Sequence, residues 1–141
     1  MITRIAAILL LCVPEPVMAD ALTLGCSGTV TSSSIPKDGI AADPTKEDIK
    51  DFSVVVDFDH KAVSGFWAEL NGVHPLLPIV AADANSITFK ASKKVGTFDS
   101  YIEGSVDRIT GATQAMETHV YPKSTTMMNW DLYCKPTRPL F

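Results

Sequence analysis

Few residues in this chain are of a type and spacing that could do chemistry. Asp57, Asp59 and His60 crowd one short stretch, and the two aspartates share a strand face. Two such carboxylates could offer oxygens to a cation. A charged hairpin tip is the favoured reading. The histidines are His60, His74 and His119, and none lies two or four residues from another. A zinc centre needs three or four converging ligands, which this spacing does not supply.

A Ser-His-Asp site can be assembled from residues far apart in a chain. No nucleophile elbow is present, however. Ser64-Gly65 and Gly104-Ser105 fall inside strand-like stretches rather than at strand-to-helix turns. Glu69 and Glu103 could be paired for sugar hydrolysis, but sixteen acidic residues offer many such pairs and their type alone selects none. No Gly-rich loop precedes a helix to cradle a phosphate. The chain is therefore expected not to be an enzyme and to need no cofactor. Arg108, flanked by Asp107 and Thr110, is expected to act with Asp107 as a structural clamp on a turn.

The 141 residues are 46% hydrophobic and 20% charged, with net charge −4, which suits a single globular domain. Twelve basic residues are scattered among sixteen acids. Nucleic acid and anionic membrane surfaces both need clustered Lys and Arg, so neither is an expected partner.

The first residues read as an export signal. Met1–Arg4 is a short basic region, Ile5–Val13 an apolar run, and Val17-Met18-Ala19 a cleavage site before Asp20. The run is far shorter than the roughly 20 residues of a membrane-spanning helix. Lipidation at Cys12 is disfavoured by the bulky Leu11 before it. Residues 1–19 are thus a cleaved signal peptide and 20–141 the mature domain, periplasmic or secreted. Two cysteines then remain, Cys26 and Cys134, bound for an oxidising compartment. A bridge between them would close a loop of about 109 residues.

These features need a scaffold, and the dominant period of two predicts an all-β one. Leu22, Leu24, Cys26, Gly28 and Val30 alternate with polar or small residues. So do Phe52–Phe58, Ala62–Trp67, Ser86–Ala91, Tyr101–Asp107, Ala112–Tyr121 and Met127–Lys135. That makes seven strands, with Leu76–Val80 an eighth confined to an edge by Pro75 and Pro78. Asp59-His60-Lys61 and Asp107–Gly111 read as tight hairpins, the second with Gly111 at positive φ. The expectation is an antiparallel meander of seven to eight strands, closed as a small barrel or folded as a sandwich. Gly65 and Gly104 are expected on its inner face. Thr31–Asp51 breaks the pattern and reads as a long polar loop with a short helix from Pro44 to Lys50. Phe141 at the C-terminus raises an outer-membrane barrel, which the charged outer faces and Pro136 and Pro139 disfavour.

The segments LTLGCSG, VVVDF, VSGF, IEGSVDRITG and YCKPTRPLF resemble a group of small secreted bacterial proteins with no assigned activity. The resemblance covers most of the mature chain. It implies export and paired cysteines. A looser similarity, in size, strand pattern and cysteines, is to the periplasmic inhibitors of c-type lysozyme. Their loop motifs find no match in Ser100-Tyr101 or Lys93-Lys94. The functional expectation is an exported, monomeric, non-catalytic binding protein, inhibitor-like, whose partner is a protein or small ligand. A lipocalin-like carrier of a small apolar ligand is the alternative, and an enzyme with a site assembled from distant residues is the third. If Phe66, Tyr121 and Tyr133 lie outward together, they form an apolar docking patch.

Overall fold

Segments that alternate apolar and polar residues each have one face to bury, and tight turns between them favour antiparallel pairing. The computed structural model describes residues 21–66 and 75–137. They form eight strands: β1 (Ala21–Pro36), β2 (Thr45–Asp57), β3 (Ala62–Ser64), β4 (Leu77–Ala82), β5 (Ser86–Val95), β6 (Phe98–Asp107), β7 (Ala112–Val120) and β8 (Ser124–Pro136). Each pairs antiparallel with the next, and β8 pairs with β1, so the sheet closes as a barrel. Residues 1–19, Cys12, Trp67, Glu69, His74 and Phe141 lie outside the described residues. Among the described residues no helix is long and apolar enough to cross a membrane.

The closing seam is long. It runs from Leu24 opposite Pro136 to Pro36 opposite Ser124. Cys26 and Cys134 face each other across it and are joined by a disulfide, both buried. Among the described residues the opposite wall is slight: there β3 meets β4 at Ala62–Pro78 and Val63–Leu77. Inside, the rings of Phe52, Phe66, Phe89 and Trp130 pack together, some stacked and some edge-on. Phe66 lies 5.4 Å from Phe52, 5.4 Å from Phe89 and 5.8 Å from Trp130, centroid to centroid. Gly104 belongs to this inner face, because a Cβ there would strike the Phe89 ring.

The eighth strand, expected at an edge because of Pro75 and Pro78, instead pairs with β3 on one side and β5 on the other in the closed barrel, and two further expectations are corrected. Thr31–Asp51 is mostly strand, with no helix: β1 and β2 stay paired to Ser32–Thr45, and β1 runs on against β8 to Pro36. Only residues 37–44 connect them. The period of two is hidden because Thr45–Asp51 runs past the packed core, with every residue but Ile49 exposed. A ladder also satisfies backbone groups that a helix of one or two turns leaves open at its ends.

Phe66, the second, is wholly buried rather than outward. β3 stops at Ser64, and Gly65 takes φ 118°, a conformation costly for residues with a Cβ. A side chain on Gly65 would also strike the Ser53 carbonyl. The chain thus turns at Gly65 and sends Phe66 into the core. Tyr133 remains outward at 52% exposure, while Tyr121 packs on Phe98, so the three form no common patch.

Gly111 closes the β6–β7 turn at φ 80°, with its N–H donating to the Asp107 carbonyl. A Cβ here would meet the Cys134 carbonyl, which is backbone and cannot swing away. Gly111→Ala should cost at least about 1–2 kcal/mol from the left-handed conformation alone. Urea unfolding midpoints compared at constant slope measure this; an unchanged midpoint would refute the assignment.

Candidate functional site

The two ends of the barrel carry different chemistry. At the disulfide end the β2–β3, β4–β5 and β6–β7 turns come together. Asp57 accepts hydrogen bonds from the His60 backbone N–H (2.8 Å) and pairs with the His60 ring (2.7 Å). Both its oxygens are therefore engaged within the turn, and the cation reading of Asp57 and Asp59 gives way to a hairpin tip. Asp83 accepts from the Asn85 and Ser86 N–H groups, and Asp107 from those of Ile109 and Thr110. These backbone bonds hold Asp57, Asp83 and Asp107 below the ordinary carboxylate value of 3.8. Their contributions to folding are complete above that value and fade as pH falls through the lowered ones.

Arg108 ties these turns together. Its Nη1 donates to the Asp83 carbonyl (2.6 Å), its backbone N–H to the Asn85 carbonyl (2.7 Å), and its guanidinium lies 6.0 Å from the centre of the Phe58 ring. Asp107 works within its own turn, with no ion pair to Arg108 among the described residues. Beneath them opens a cup of about 440 Å³. Leu22, Leu24, Val56, Ile87 and Val106 line it, and Phe58, Arg108 and Tyr133 rim it. The aliphatic lining follows from the strand period, since these are inward positions in the last layer before the mouth.

At the other end the interior is polar. Thr113, Ala115, Glu117 and His119 follow one another on the inner face of β7, and Ser100 stands opposite His119 on β6. The Ser100 hydroxyl is 2.7 Å from His119 Nδ1, and His119 Nε2 is 2.8 Å from Glu117 Oε1. Glu117 is 3% exposed and Ser100 wholly buried. Burial raises the Glu117 carboxyl above its ordinary value of 4.5, and His119, the Trp130 indole and Lys93 draw it partway back. The indole N–H lies close enough to act on Glu117 without completing a hydrogen bond, and is a buried donor with no partner among the described residues.

A Ser–His–Glu chain has the order of a nucleophile, its base and an orienting acid. Here Ser100 has no surface to present to a substrate. It lines neither the cup, nor the hollow over Gly104, nor the one between β4 and β5. Among the described residues this serine is enclosed rather than presented as a nucleophile.

Set only against the other histidines, His119 has no near partner, so histidine spacing does not reveal this chain. Its signal was the pair Glu117 and His119, two apart and so on one face of a strand. Ser100 could not be assigned to them without the β6–β7 register.

Comparison with known proteins adds no relative: no family profile, curated protein or solved structure matches this chain.

Proposed function

We propose that this chain is an exported, non-catalytic binding protein that takes a small ligand with an apolar body in the cup at its disulfide end. The cup carries the proposal: its volume of about 440 Å³ lies within the range of small-ligand sites, and Leu22, Leu24, Val56, Ile87 and Val106 give it an aliphatic part beside the polar Asp107, Arg108, Thr110 and Lys135. Export is supported by the Met1–Ala19 pattern and fits the disulfide. A carrier holding its ligand deep along the axis is less favoured, because the aromatic rings fill that space. The ligand belongs at the mouth.

Titration with the fluorophore 1-anilinonaphthalene-8-sulfonate tests this. Saturable binding is expected, and Leu22→Trp, which fills the cup from a half-buried strand-end position, should weaken it tenfold or more. Equal binding by the variant, or none by the folded parent, would end the reading.

A further inference from the structure

The polar chain at the far end of the barrel is not needed for a cup at the near end, yet it sits in the driest position an ionisable pair occupies among the described residues. The Glu117 side chain is 4% exposed and the His119 side chain 12%. An isolated carboxylate in such a place is costly, and proteins avoid it by keeping the group neutral or paired. With one proton between them, Glu117 and His119 meet that condition. The proton can lie on the carboxyl, giving a neutral chain, or on the ring, giving an ion pair; in both forms the 2.8 Å bond is made. When the pair releases that proton to solvent, a carboxylate faces a neutral ring inside the barrel.

The surroundings show how far that charge is compensated. From β5 comes Lys93, which is in register with Ser100 and acts on Glu117. β6 supplies the Ser100 hydroxyl and the Phe98 ring, 5.7 Å from His119; Asp99 is in register with Lys94 and Val120. Beyond β7, Tyr121 lies 6.3 Å from the His119 ring. β8 offers the Trp130 indole, Met128 opposite Glu117 and Thr126 opposite His119. β1 carries no charged residue between Gly25 and Pro36, and the charges of β2 from Lys46 to Asp51 are exposed. The neutral ring's Nε2–H, one ammonium and one indole N–H are thus what remains to hold a bare carboxylate, close to the last β6–β7 pair, Asp99 opposite Val120.

We propose that Glu117, His119 and Ser100 form a proton-operated latch on the β6–β8 end of the barrel, shut while the pair keeps its proton and loosened when the proton leaves. The sign follows from linkage. Folding raises Glu117 above 4.5, so its contribution to the closed state is complete below that value and is lost as pH rises through the folded one. The turns at the disulfide end respond oppositely, weakening as pH falls. The barrel would therefore loosen from one end as pH falls and from the other as pH rises.

Native-state hydrogen exchange of the oxidised protein between about pH 5 and 9 reads this directly. Rates at the Ser100, Ile102, Glu117 and His119 amides are converted to opening constants after dividing out the intrinsic pH dependence. The expected result is an opening constant that rises with pH, by at most about tenfold per unit while one proton is released. The Cys26 and Val56 amides should stay flat, and Glu117→Gln should abolish the rise. The same rise in Glu117→Gln would overturn the latch. If that variant does not fold, the carboxyl carbon of Glu117 in the parent decides by NMR. A titration above 4.5 supports the latch; one at or below 4.5 overturns it.

Discussion

Phe66→Ala should destabilise the barrel by about 3–5 kcal/mol, the largest effect expected of a single side chain here. The ring is wholly buried and lies against Phe52, Phe89 and Trp130 at once. Truncation removes its burial and strips one face from each of those rings. The surroundings cannot collapse into the hole easily, because Gly65 fixes where residue 66 enters the core and the Ser53 carbonyl blocks movement behind it. Urea unfolding followed by circular dichroism measures the change, with Tyr133→Ala as control. Tyr133 is half exposed on the outer wall and its truncation should stay within about 0.5 kcal/mol. Similar values for the two variants would mean that the aromatic cluster is not the core.

Removing the disulfide is the second large effect. Cys26 and Cys134 are 108 residues apart, so the bridge closes a long loop in the unfolded chain. Chain entropy puts a cross-link of that span near 4.7 kcal/mol, and removal of native bridges from small domains costs about 2–5 kcal/mol. Cys26→Ala with Cys134→Ala should fall in that interval. Reduction of the parent should reproduce most of it. The β1–β8 ladder survives in both cases, so the barrel should still close, less stably. A loss below about 1 kcal/mol would mean that the unfolded chain is already held compact by other contacts.

Much of this architecture was legible from alternation alone. Leu24, Cys26 and Val30 are buried in β1, Val54 and Val56 in β2, and Leu132 and Cys134 in β8, as the period of two requires. What the period could not reach was any segment where neither face is buried. Thr45–Ile49 pairs as strand for the sake of its backbone, and of its side chains only Ile49 packs against the core. Phe66 was misplaced for a different reason. Extending the alternation of β3 through Gly65 put it outside, whereas the positive φ of Gly65 resets the phase. The Glu117–His119 pair shared a visible face. Its link to Ser100 depends on which residue of β6 stands opposite residue 119, and register is a property of two strands rather than one.

The seam between β1 and β8 has a kinetic meaning as well. Every other ladder in the barrel joins strands that are consecutive in the chain, while this one joins its two ends. Short loops close early and long ones late, because ordering a long chain precedes any reward from its contacts. The β5–β6, β6–β7 and β7–β8 hairpins can zip up while β1 is still unattached. Cys26 therefore reaches Cys134 only on a nearly finished template, and the appearance of the covalent bond is a clock for the last step of folding.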